Sequence, residues 1–116
     1  MELAFLEKLR KSWDEYSALR VSMHLSTEQL KDLRIEFEME DDQVAGMVLS
    51  LLDRKKPYLK FLSNAITTYP IFLEKLISYN PSSTSDREEK DDFLRKANKL
   101  QEIIVLLEEF NKEELL

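Results

Sequence analysis

Few residues in this chain could carry covalent or acid–base chemistry. His24 is the single histidine among 116 residues, and cysteine is absent. A histidine base needs a nucleophile or a carboxylate held beside it. His24 instead precedes Leu25-Ser26-Thr27-Glu28, which reads as a helix start, so it is expected at a surface boundary. Without cysteine there is no disulfide, no thiolate metal site and no thiol nucleophile.

The carboxylates are denser. Glu36, Glu38, Glu40, Asp41 and Asp42 place five acids in seven residues. They lack the D-x-D-x-D-G spacing and the downstream glutamate of a calcium loop. The run therefore reads as a solvated acidic patch fit for a basic partner. Arg54, Lys55, Lys56 and Lys60 form the complementary basic patch, suited either to ending a helix or to docking an acidic partner. The lone Gly46 lies in an apolar helical series, where close helix packing is the expectation, and no Gly-rich turn is available to cradle phosphate. The reading is a non-enzymatic chain with no cofactor and no metal.

These residues must be positioned by helices. One glycine and three prolines are too few for the turns of a sheet protein, and apolar residues recur at helical spacing throughout. Leu6, Leu9, Trp13 and Tyr16 predict a helix over 2–20, with a break near Ser17. Ser26 as cap, Gln29 three residues on, and Leu25 with Leu30 as staple predict a second over 26–36. The acidic run reads as a turn. Val44, Met47, Val48, Leu51 and Leu52 then predict a third helix ending in the basic cluster.

Pro57 and Pro70 each read as a corner opening a short helix, with Tyr58 to Tyr69 and Phe72 to Ile77 as the apolar stripes. Pro81-Ser82-Ser83-Thr84-Ser85 reads as a linker, and Ser85 with Asp86 and Glu88 as the start of a long last helix. In that helix Phe93, Leu100, Ile103, Leu107 and Phe110 make a heptad-like seam that either packs on the preceding helices or dimerises. The expectation is an all-α protein: an antiparallel bundle of five to six short helices over 1–80, a linker over 81–85 and a C-terminal amphipathic helix over 86–116.

No window reaches the ~20 apolar residues that cross a bilayer, and MELAFLEKLRKSW has no signal-peptide core. A cytoplasmic chain without membrane contact is expected. The net charge of −6 weighs against nucleic acid, whose binding depends on basic side chains displacing counterions.

The segment from Leu25 through Leu76 resembles the death-fold superfamily, the six-helix bundles that include death domains and caspase recruitment domains. The likeness lies in the order of features: Leu25-Ser26 at a helix start, the acidic Asp41-Asp42, the Leu51-Leu52 pair, the basic Lys55-Lys56, and Phe61 with Ala65-Ile66. In a death-domain reading, Trp13 stands for the aromatic of the first helix. The likeness extends over residues 2–79 and implies a homotypic adaptor or regulator in apoptotic or innate-immune signalling, assembling with a like domain through the two charged patches. Two other readings compete. One is a small acidic inhibitor or regulatory factor, of phage or bacterial type, that binds a basic site on another protein. The other is a homo-oligomer held by the C-terminal seam.

Overall fold

The computed structural model describes residues 3–20, 23–53 and 58–114. These form four helices: α1 (Leu3–Arg20), α2 (Glu28–Leu52), α3 (Leu62–Ser78) and α4 (Thr84–Glu114). There is no strand among the described residues, and no helix is long and apolar enough to cross a membrane. The all-α expectation holds, but the five to six short helices are replaced by four longer ones.

Two merges account for the difference. The acidic run is not a turn, because α2 passes through it without interruption. Leu30, Leu33, Phe37, Glu40, Val44, Met47 and Leu51 recur at alternating steps of three and four, and all are buried. The core-facing stripe thus runs through the acids, with Glu40 occupying one inward position. Pro70 does not open a helix either. Leu62, Ala65, Tyr69, Phe72 and Leu76 form one buried stripe across it. Proline has no N–H to bond the carbonyl four residues back, but Pro70 lies on the exposed side of α3. In the preceding turns Thr67 and Thr68 donate their hydroxyls to the Ser63 and Asn64 carbonyls, both at 2.9 Å. The expected opening of a helix at Pro57 falls outside the described residues; α3 starts at Leu62. Nor is α1 broken at Ser17.

Neighbouring helices run antiparallel. Phe5 stacks on Phe110 at 5.0 Å and Glu15 meets Lys99 at 2.6 Å, which sets α1 along the C-terminal half of α4. Glu36 with Lys75 and Gln43 with Asn64 set α2 against α3. Tyr69 donates to the Ala97 carbonyl, and Phe72 packs on Phe93, setting α3 against α4. Tyr16 and Arg20 reach Asp41 and tie α1 to α2. The result is an up-down-up-down bundle. At 31 residues α4 is about 46 Å long, matching the 47 Å long axis, and forms the spine.

One core serves all four helices. Phe37, Phe72 and Phe93 converge at its centre, with ring centroids 5.3–5.9 Å apart. Phe93, Leu100, Ile103, Leu107 and Phe110 are all buried within this single chain. The seam therefore packs on the other helices of the bundle within the chain. Lys96, between Phe93 and Leu100, is buried and pairs with Asp92 at 2.5 Å.

The end of the bundle where α2 starts, α3 stops and α4 starts is closed by polar contacts. Thr27, not Ser26, is the N-cap of α2, accepting from the Leu30 N–H; Ser26 donates to Glu89 at 2.8 Å. Ser83 caps α4 by accepting from the Asp86 N–H at 3.0 Å, while Asp86 Oδ2 accepts from the Ser82 N–H at 2.9 Å. The cap at Ser83 lies two residues ahead of the expected start at Ser85, with Asp86 reaching back one residue beyond it. Lys90 covers the last carbonyls of α3, reaching Ile77 at 2.8 Å and Tyr79 at 2.6 Å.

Candidate functional site

A helix turns by about 100° per residue, so five acids in seven positions of α2 point in different directions. Asp41 faces α1. It accepts hydrogen bonds from the buried Tyr16 hydroxyl and from Arg20, the latter at 3.0 and 3.2 Å. The Arg20 guanidinium also lies 5.1 Å from the Trp13 ring centroid. Burial, then the Asp41 carboxylate, push the Tyr16 hydroxyl far above the ordinary phenol range, so it stays a donor. Glu38 pairs with Arg34 at 3.0 Å on the same helix.

Glu36 and Glu40, four residues apart, face α3. Glu36 pairs with Lys75 at 3.1 Å. Glu40 is 8% exposed, accepts from the Thr68 hydroxyl through Oε1, and keeps Oε2 buried with no hydrogen-bond partner among the described residues. Burial raises its carboxyl above the usual range, with the nearby Glu36 adding to the rise and Thr68 opposing it. Asp42 is exposed. The five acids are therefore not one patch: three are engaged at ion pairs, one is buried and one is exposed.

Of the basic patch, Arg54, Lys55 and Lys56 lie outside the described residues. Lys60 is exposed, its ammonium 5.8 Å from the Phe61 ring centroid. Gly46 is also exposed, and a Cβ placed there would meet nothing within 4 Å. Close packing does not explain it. His24 is exposed at a shallow cleft with Ser85, Glu88, Glu89 and Asp92. Among the described residues no hydrogen bond joins His24 to any of them, and no group of three or more His, Cys, Asp or Glu is placed to hold a metal ion.

What sequence reasoning missed is the groove between α2 and α3. Met39 and Ile71 stand on its two walls, Phe72 and Glu40 lie within it, and Glu36 and Lys75 border it. Met39 is 62% exposed, Ile71 55%, and Ile35, one turn before Met39, 59%. The available signal was Ile35 and Met39 at i, i+4 spacing off the buried stripe of α2, visible only once the acidic run is read as helix. The groove has apolar walls and a buried carboxylate that accepts from the Thr68 hydroxyl.

Comparison of the chain with family models, with curated proteins and with solved structures finds no match.

Proposed function

We propose that this chain is a non-enzymatic protein-binding factor whose α2/α3 face engages a basic surface on a different protein. One observation carries the reading. Met39 and Ile71 hold large apolar side chains in solvent about one groove, with Ile35 exposed one turn before Met39, although the same chain buries twenty-five apolar residues in a single core. Large apolar side chains grouped in solvent about a groove are the mark of a contact surface. The net charge of −6 favours a basic partner and disfavours nucleic acid. The lack of cysteine suits a cytoplasmic setting.

The homotypic adaptor implied by the death-fold resemblance calls for two free patches of opposite charge. Glu36, Glu38 and Asp41 are engaged within the chain, which supports a heterologous partner over a like domain. The test is selection of a random peptide library on the immobilised chain, paired with sedimentation velocity at low and high salt. Enrichment of basic amphipathic peptides that Met39→Glu no longer retains, on a chain that stays monomeric, supports the proposal. Salt-sensitive self-assembly would instead support the homotypic adaptor, and a library with no enrichment would count against a binding face.

A further inference from the structure

α2 carries two stripes. Opposite the buried one, Ile35, Met39, Asp42, Gly46, Leu49 and the C-cap Asp53 recur at alternating steps of four and three, and all six are exposed. A helix drifts by only about 20° per heptad against such a repeat, so the six share one outward face. Leu49 is 42% exposed, in line with Ile35 and Met39. An alternating four-three series with large apolar members is the seam by which one helix seats another. The core already has its own series on the far side of α2, so the fold does not require a second.

Gly46 shows how close the second helix comes. It is the single glycine of the chain, and glycine is among the poorest residues for a helix interior. Packing within the chain does not account for it, since a Cβ there would meet no atom within 4 Å. On an exposed seam a missing Cβ lets another backbone approach, toward the short end of the range of about 8–10 Å between packed helix axes. Met39 and Leu49 stand on either side along the stripe, so the hole over Gly46 is framed by large apolar side chains.

The acids fix the partner's sign. Asp42 lies between Met39 and Gly46 with no ion pair among the described residues, Asp53 ends the stripe, and no cation stands between them on it. A lysine or arginine complements this face, its methylene stem lying on Met39 and its charged head at Asp42. A second copy of the chain does not. Laid parallel in register, or antiparallel with Met39 over the other copy's Gly46, it brings one Asp42 against the other, and like charges set together oppose binding. Resting on the binding role proposed above, we infer that the outer stripe of α2 seats one helix of another protein, crossing closest at Gly46 and setting a lysine or arginine against Asp42.

The test is selection of displayed random peptides on the immobilised full chain, each about 15 residues long to match α2 from Ile35 to Leu49, followed by affinity measurements of the enriched peptides on variants. Expected are peptides that turn helical on binding, with a cation set among apolar residues at steps of three and four. Asp42→Asn and Gly46→Gln should each weaken them by about tenfold or more. Gly46→Gln should at the same time raise the urea midpoint of the chain alone, because glutamine is the better helix former. Stability and binding that move in opposite directions mark a glycine kept for the partner. Enriched peptides that depend on Met39 but are indifferent to Gly46→Gln or to Asp42→Asn would overturn the helix seat and leave the α2/α3 face as a binding surface. Bound peptides without helical circular dichroism would overturn the helical partner. A lower urea midpoint in Gly46→Gln would assign the glycine to the fold and overturn the crossing point. Self-assembly of the chain alone that Gly46→Gln abolishes in sedimentation velocity would give the stripe to a second copy and overturn the proposal. A selection with no enrichment would overturn it together with the binding role.

Discussion

The Tyr79 hydroxyl donates to Asp86 Oδ2 at 2.6 Å, joining the C-terminal end of α3 to the first turn of α4. The same hydroxyl lies 3.1 Å from Thr27 Oγ1, the cap of α2. Three helix ends thus meet at one phenol. Tyr79, then the Ser82 N–H, hold the Asp86 carboxyl below the ordinary carboxylate range. A depressed acid binds its proton less tightly in the folded state. Its stabilising contribution is full above the unfolded pKa of about 3.9 and is lost as pH falls through the folded value. Asp86→Asn should therefore lower Tm by more at pH 7 than at pH 3, as followed by circular dichroism. An equal deficit at both pH values would mean that the charge is not what matters.

Glu40 behaves in the opposite sense. Its carboxyl is raised, chiefly by burial, so the folded state holds the proton more tightly than the unfolded chain. The ionised form is penalised, and stability tied to this group is lost as pH rises through the raised value. Glu40→Gln should raise Tm at pH 7, with the gain shrinking as pH falls below the ordinary glutamate range. A gain that does not change with pH would assign the effect to packing.

Gly46 lies exposed in the interior of α2 with open space where a Cβ would stand. Glycine at such a position costs about 0.5–1 kcal/mol relative to alanine. Gly46→Ala should stabilise the chain by that amount, seen as a higher urea midpoint with an unchanged slope. A lower midpoint would show that the fold itself needs glycine at this position.

The two serines near the start of α4 separate cleanly. Both are exposed, but Ser83 accepts the Asp86 N–H whereas Ser85 lies inside the first turn. Ser83→Ala should cost about 1 kcal/mol, and Ser85→Ala should stay within about 0.5 kcal/mol of the parent. A larger loss at Ser85 would move the cap.

Leu100 is wholly buried at the middle of α4. Leu100→Ala should cost about 2–5 kcal/mol in denaturant unfolding. A chain ending at Ser82 should lose near-ultraviolet circular dichroism and bind a hydrophobic dye. A truncated chain that stays folded would restore the view of α4 as a separate element.

Much of this architecture was legible in the residues. Helical periodicity located α1 and α4 and picked most of the core, because Leu9, Trp13, Tyr16, Phe93, Leu100 and Ile103 sit where both local spacing and tertiary packing want them. The misreadings share one cause: a local signal outweighed a longer stripe. The acids at 36–42 and the proline at 70 look like breaks in isolation, yet each lies inside a continuous three-four series of buried residues. Packing along that stripe overrides weak local propensity. The groove was not legible for a related reason. Glu40, Thr68 and Ile71 come together only once α2 and α3 are each whole helices and antiparallel. Likewise, the division of the five acids between α1, α3 and solvent depends on helical phase, which a reading of the run as a turn conceals.

The pairing of α1 with α4 also sets an order of events during synthesis. Glu15 and Lys99 are 84 residues apart, and Phe5 finds its stacking partner only in Phe110. Closing so long a loop is slow relative to pairing adjacent helices. As the chain leaves the ribosome, α1 emerges first and must wait for α4, its longest-standing vacancy being the face that Phe5 and Leu9 present. α2 and α3 can pair with each other in that interval, through Glu36 with Lys75 and Gln43 with Asn64. The spine of the bundle is its last helix to be made, so the nascent protein carries uncovered apolar surface until translation has passed α4, the stage at which chaperones are most useful.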